Sequence, residues 1–236
     1  MDIFAHRGAS GLYPENTLLA FAKALEIGCE GLEFDVRLCG KDDHKQLVVF
    51  HDKKLDRCTD GKGKLKDCSF DYVRSLDAGE GQIIPTLDEV CKLVSTKALI
   101  NIELKGKNTA EPVMDYLLSQ QNIIPLQQFI ISSFRYKELK KIRKISSQIK
   151  IGVLVKKNYK KGFKQAKKLS AYSIHPYLKT VKQKHIIKAH KKGLKALVYT
   201  VNTMDDLNRL EEWKVDGVFS DFPNIICHSH ESENLI

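Results

Sequence analysis

No apolar run in the sequence reaches membrane-spanning length, and its first residues, MDIFAHRG, hold no basic region leading into a long apolar stretch. Neither a spanning helix nor a secretory signal is therefore expected, and a cytoplasmic protein follows. The six cysteines, at 29, 39, 58, 68, 91 and 227, form no C-x-x-C pair and fall short of the density of a disulfide scaffold. Free, mostly buried thiols are expected instead. There is no linker or low-complexity segment to divide the chain. At 236 residues it lies within the roughly 200 to 250 of a large α/β domain, so one domain over 1–236 is expected.

Positive charge is what the chain has in excess. Lys and Arg number 39 against 29 Asp and Glu, a net charge of +10 with the 8 His left out. Such a balance favours anionic partners but does not separate nucleic acid, membrane surface and small phosphate esters. In the most basic stretch, VKKNYKKGFKQAKKLS at 155–170, Tyr159, Phe163, Ala166 and Leu169 recur at helical spacing between lysines. That pattern reads as a solvated helix with an ordinary buried stripe rather than a lipid- or RNA-binding patch.

Nine strand-length apolar runs recur along the chain: DIFA, GLEFDVRL, LVVFH, ALINIEL, QFIISSF, KIGVLV, AYSIHP, ALVYTV and GVFS. Most are nearly continuous, which suits parallel strands covered on both faces. Helix-like segments fill the gaps. Thr86 with Glu89 and Asn108 with Glu111 match cap-plus-glutamate starts, and Gly28 and Gly193 suit helix exits. Leu139, Ile142, Ile145 and Ile149 form a one-sided stripe. The alternation points to a (β/α)8 barrel or an open doubly wound sheet. Between the second and third runs lies only CGKDDHKQ, too short for a crossover between parallel neighbours. Those runs are expected to form a short hairpin arm between residues 32 and 52, leaving eight parallel strands.

Polar residues interrupt the apolar runs in order: His6 and Arg7, then Glu33 and Asp35, then His51 and Asp52, then Glu103 and Lys105. In Glu33-Phe34-Asp35 a period of two sets both carboxylates on one face. Glu103-Leu104-Lys105 repeats the geometry with opposite charges, and a barrel would aim all of these groups at the mouth formed by the strand ends. Three carboxylates make an all-oxygen pocket suited to Mg²⁺ or Ca²⁺, whereas zinc recruits His or Cys. The histidines are then free for proton transfer. Ser132 and Ser133 sit in no G-x-S-x-G elbow and read as rim residues rather than nucleophiles. His175 either lines a pocket or caps a strand, and His44, His185, His190, His228 and His230 carry no assigned role.

The ordered set H-R-G (6–8), P-E-N-T (14–17), E-F-D-V (33–36), V-V-F-H-D (48–52) and N-I-E-L-K (101–105) resembles the glycerophosphodiester phosphodiesterases. ISSF (131–134), YTVN (199–202) and DGVFSDFP (216–223) look like that family's closing strands, so the resemblance spans nearly the whole chain. It implies a TIM-type (β/α)8 barrel of the PLC-like kind. By the same resemblance His6 and His51 would be the acid and base, while Glu33, Asp35 and Glu103 would hold a divalent ion. Arg7 and Lys105 would grip the phosphate, Glu15 would orient Arg7 or meet substrate hydroxyls, and Phe134 and Tyr199 would line the substrate side. Tyr199 stands where the family often carries Trp, and Asn16 and Thr17 read simply as a helix start.

The implied reaction is metal-dependent hydrolysis of a small glycerophosphodiester to an alcohol and glycerol 3-phosphate, with neither nucleic acid nor stable membrane insertion involved. The alternative on the same barrel is a lipid-active phospholipase of the lysophospholipase D or phospholipase C type.

Overall fold

The computed structural model describes residues 1–40 and 45–227; His44, His228 and His230 lie outside them. All nine apolar runs are strands: β1 Asp2–His6, β2 Gly31–Cys39, β3 Gln46–Val49, β4 Leu99–Leu104, β5 Phe129–Ser133, β6 Lys150–Val155, β7 Ser173–Pro176, β8 Lys195–Tyr199 and β9 Gly217–Ser220. The sheet order is β1-β9-β8-β7-β6-β5-β4-β2-β3, and a further β1–β2 pairing closes it. Eight strands are parallel and form the barrel. β3 alone runs antiparallel, on β2, as the short gap requires. Around the barrel lie α1 Leu18–Ile27, α2 Phe70–Arg74, α3 Leu87–Val94, α4 Ala110–Gln120, α5 Tyr136–Ile145, α6 Tyr159–Lys168, α7 Gln183–His190, α8 Met204–Glu212 and α9 Pro223–Cys227.

Strand alternation sorts the side chains. Ile3, Ala5, Leu32, Phe34, Val36, Ile100, Ile102 and Leu104 face outward into the main apolar cluster beneath the helices. Phe21 of α1 meets Phe34 edge to face at 5.6 Å. Truncating Phe34 to Ala would cost about 3–5 kcal/mol. The intervening residues face inward, where Phe4, Ile130, Leu197 and Phe219 fill the barrel. A separate small cluster of Cys39, Val48, Phe50, Leu55, Leu65, Val73, Leu76 and Ile84 anchors the long segment after β3.

Helix ends follow the sequence in most places. Thr86 and Glu89 form a reciprocal capping box, and Gly28 ends α1 in the left-handed region. The cap expected at Asn108 is absent: α4 starts at Ala110, and buried Glu138 of α5 instead accepts from the Asn108 and Ala110 backbone amides at 3.1 and 3.2 Å. The stripe on α5 is shorter than its spacing implies, because Ile145 is 40% exposed and Ile149 lies past the helix end. On α6, Tyr159, Phe163 and Ala166 are buried, so the lysine-rich helix turns its apolar side inward. Cys29, Cys39 and Cys91 are buried and Cys58 and Cys68 partly so, and none of these five is in a disulfide. No described helix is long and apolar enough to cross a membrane.

Candidate active site

Parallel register carries the inward residues of neighbouring strands to one height: His6 pairs with Glu33, Asp35 with Glu103, and Glu103 with Ser132. The carboxylates of Glu33, Asp35 and Glu103 each bring an oxygen within 4.8 Å of the others. All three are buried. Burial and the charges of Asp35 and Glu103 push Glu33 well above the ordinary carboxylate range, and burial together with Asp35 raises Glu103 to about 7. Against burial, Lys105 and Arg7 hold Asp35 low. Lys105 Nζ lies 3.5 Å from Asp35 and 3.1 Å from Glu103, and Arg7 Nε lies 3.3 Å from Asp35. Three buried carboxylates crowd together with only two cations, which is why the charged forms of Glu33 and Glu103 are disfavoured, and the donors are all hard oxygens. The cluster therefore fits a hard divalent cation.

The turn after β1 is shaped by its backbone. Arg7 and Gly8 have φ of 60° and 79°, and Asn16 has φ of 60°. A Cβ on Gly8 would come within 2.6 Å of the Ala20 backbone in α1, so glycine is required there. Arg7 donates its amide to the Glu33 backbone oxygen at 2.8 Å and to Glu33 Oε2 at 3.1 Å. The strand stops at His6 because its continuation folds over the carboxylate cluster.

Both histidines are held through Nδ1. His6 Nδ1 meets Asp221 Oδ1 at 2.6 Å, and Asp221 also accepts from Ser10 and Asn202. Burial opposes ionisation of Asp221, yet these bonds, His6 first, hold it down at about 2. His51 Nδ1 meets Asp52 Oδ1 at 2.5 Å. Burial lowers the His51 pKa, and the cations Arg7 and Lys105 lower it further. A carboxylate on Nδ1 fixes the proton there in the neutral ring and leaves Nε2 for chemistry. Nε2 of His6 points to Glu33 at 3.9 Å.

Beyond His51 a chain of alternating charge returns to the barrel. Arg57 binds Asp52 at 2.7 Å and Glu15 at 2.7 and 2.8 Å, and Glu15 takes Arg7 at 2.9 Å. On the far side of the mouth, Phe134 is 48% exposed and meets Tyr199 edge to face at 6.1 Å, with Tyr177 at 5.5 Å from Tyr199. These rings form an apolar wall facing the charged half.

Several residues differ from the sequence reading. Asn16 is more than a helix start: it is buried, and its amide grips Asp35 through Nδ2 at 3.1 Å and Oδ1 at 3.3 Å. Ser132 and Ser133 are buried rather than at the rim, bonded to Asn101 and to the Leu104 carbonyl. His175 lies wholly inside the barrel on Ser173 Oγ at 2.8 Å, against Gly152 and Phe219, and burial drops its pKa to about 3. It is a core histidine. Asp221, Asn202, Ser10 and Arg57 were given no role by the sequence; Asp221 follows strand GVFS as His6 follows DIFA, and the same strand-end rule finds it.

The barrel and its charged mouth are those of an enzyme that works on phosphate esters, and the relatives agree. Residues 6–225 match the family model described as "Glycerophosphoryl diester phosphodiesterase family". A glycerophosphodiester phosphodiesterase of Caldanaerobacter subterraneus subsp. tengcongensis is 36% identical over 238 residues, 96% of each chain. One from Bacillus altitudinis is 34% identical, covering 94% of this chain and 95% of its own. The solved structure of an Oleispira antarctica phosphodiesterase in complex with the product sn-glycerol-3-phosphate has a TM-score of 0.89 at 28% identity, covering 98% of this chain and 97% of that one. This chain belongs to the glycerophosphoryl diester phosphodiesterase family.

Proposed function

We propose that the chain hydrolyses small glycerophosphodiesters to an alcohol and glycerol 3-phosphate, with His6 and His51 dividing the proton transfers over a divalent ion, Mg²⁺ or Ca²⁺, held by Glu33, Asp35 and Glu103. The observation that carries this reading is the matched pair of histidines, each with Nδ1 on a carboxylate, at the mouth that holds the three-carboxylate cluster. When bound, the ion supplies Lewis-acid stabilisation of the phosphoryl oxygens and lowers the pKa of a hydroxyl. Arg7 and Lys105, already paired to the carboxylates, share the phosphoryl charge. One histidine Nε2 takes the nucleophile's proton and the other protonates the departing alkoxide, which otherwise leaves poorly. Asp221 and Asp52 hold each ring in register and stabilise it when charged. Glu15 holds Arg7, and the wall of Phe134 and Tyr199 takes the carbon face of the glycerol.

The lipid-active alternative shares the same barrel and would set the lysine-rich helix α6 against a membrane, but the apolar side chains Tyr159, Phe163 and Ala166 of that helix are buried. The reading is tested by assaying glycerophosphocholine and its lysophospholipid side by side, before and after exhaustive EDTA treatment, with Mg²⁺ or Ca²⁺ restored. Chelation should abolish release of choline and glycerol 3-phosphate and either ion should restore it. Full activity without metal, or preference for the long-chain substrate, would overturn it.

A further inference from the structure

Beside the charged mouth, but not containing the three carboxylates, lies a cleft of ≈ 770 Å³ lined by Arg37, Lys53, Lys54, Lys64, Lys107 and Arg135 among others. It opens where the site ends. Lys53 follows Asp52 in sequence, and Lys107 lies two residues past Lys105. Arg37 spends its Nε on the His51 carbonyl at 2.8 Å, and Arg135 spends its Nε on the Lys105 carbonyl at 3.0 Å. Both guanidiniums are thus fixed to the backbone of residues that form the mouth, and among the described residues no hydrogen bond takes up their terminal nitrogens.

Among the described residues that line this cleft, basic side chains far outnumber acids. Asp67 is the one acid among its described lining residues, and Lys66 pairs with it at 3.0 Å. Lys54 and Lys64 face each other across an isolated antiparallel bridge. Like charges in that position destabilise a pair. Four elements contribute to the accumulation: β2, the segment after β3, and the loops after β4 and β5. A solvated helix face would not concentrate charge in this way, whereas a concave cluster of one sign raises the local concentration of a counter-charged ligand.

We propose that this cleft is a head-group subsite that selects glycerophosphodiesters whose alcohol carries further negative charge, a second phosphate above all. The proposal rests on the diesterase reading above. The glycerol of such a substrate is uncharged and the scissile phosphate belongs to Arg7, Lys105 and the acidic cluster. Extra anionic charge can therefore enter only on the alcohol side, and the cleft adjoins the scissile position. Arg37 and Arg135 supply forks suited to phosphate oxygens, and the lysines supply a diffuse attraction.

The test compares kcat/KM for glycerophosphocholine, glycerophosphoglycerol and bis(glycerophospho)glycerol, whose head groups are cationic, neutral and anionic, in the metal-loaded enzyme and in a K54Q/K64Q/K107Q variant. The anionic substrate should exceed the cationic one by roughly tenfold in the natural enzyme. The variant should lose that preference while glycerophosphocholine turnover stays unchanged. As a second measurement that needs no variant, the preference should shrink as salt rises from about 50 mM to about 300 mM. Equal kcat/KM across the three head groups would overturn the subsite and leave the diesterase reading intact, whereas failure to cleave any of them would overturn that reading first. Inhibition by a short single-stranded oligonucleotide at lower concentration than by bis(glycerophospho)glycerol would overturn the proposal in favour of a nucleic-acid groove.

Discussion

Glu33, Asp35 and Glu103 stand on the barrel wall between 1% and 8% exposed, whereas His51, Asp52 and Arg57 reach the mouth from the long segment after β3. The wall residues are placed by strand register, which cannot shift without moving every outward apolar side chain to the wrong face. Their cost is desolvation, visible in the raised pKa values of Glu33 and Glu103. The segment after β3 has only its own small core, and its ionic groups hold one another through charge-assisted hydrogen bonds near solvent. Position in the first half comes from the fold, and in the second from pairing. The proposed metal ligands belong to the rigid half, while the proposed catalytic pair takes one histidine from each.

That division is broken most directly by removing the histidines. His6→Ala and His51→Ala should each lower kcat by about 10² to 10⁴ on a natural diester, with the folded fraction preserved because neither ring is in the core. A nitrophenyl diester, whose leaving group needs no proton, should rescue the variant lacking the acid and leave the other inactive. Near-normal kcat in both variants would remove the mechanism. A deficit in only one would make that half of the mouth sufficient.

Asp35 tests what the rigid half contributes to the fold. Asp35→Ala leaves Arg7 and Lys105 without the carboxylate they share, and Asn16 without its acceptor. Unpairing buried charge in this way costs about 3–5 kcal/mol, readable as a lower urea midpoint. Glu33→Gln should lose the metal yet leave the metal-free fold as stable or more so, since its charge is repelled by Asp35 and Glu103. Equal losses in the two variants would show that the carboxylates act as one unit.

Much of this arrangement was legible from sequence where it depends on a short repeat. A period of two placed Glu33 beside Asp35 and put Glu103 on the same face as Lys105, and a gap too short for a crossover gave the β2–β3 hairpin. Contacts that need closure of the barrel were not legible. Asp221 is 215 residues from His6 in sequence and meets it only because β9 pairs with β1. Arg57 and Glu15, separated by 42 positions, meet across two loops. Local patterns also misled where tertiary contact overrode them: Glu138 from the next helix took the capping work read into Asn108, and Ser132 and Ser133 lie deeper than their strand-end position implied.

The two halves should also part company in pH. Burial first, and then Asp35, raise Glu103 to about 7, and Glu33 is raised likewise. A carboxyl whose pKa rises on folding holds its proton in the folded state. Its contribution is complete below the ordinary carboxylate range and is lost as pH climbs through the raised value. Metal-free protein should therefore lose on the order of a few kcal/mol between about pH 5 and about pH 8. Asp35, held low, acts in the opposite sense and only in stronger acid. Ca²⁺ or Mg²⁺ should flatten the slope, as should Glu103→Gln. Thermal melts across that range with and without metal check this, and a slope unaffected by metal would place the titrating groups elsewhere.

The smallest effect concerns Arg57, whose side chain is half exposed although it joins Asp52 to Glu15. Exposed ion pairs of this kind contribute about 1 kcal/mol or less, so Arg57→Gln should barely move the urea midpoint. Its consequence should appear in kcat. Asp52 would keep His51 but lose its own anchor, and Glu15 would keep Arg7 alone. A fall of about tenfold or less is expected, equivalent to no more than about 1.4 kcal/mol. High salt, which already screens the pairs in the natural enzyme, should narrow the gap between the two proteins. Asp52→Asn should cost more, because it disturbs the proton on His51 Nδ1 directly, and its pH–rate profile should shift where that of Arg57→Gln does not. If Arg57→Gln instead lowered stability by several kcal/mol, the segment after β3 would be as firmly built as the barrel wall, and the contrast between the two halves would be lost.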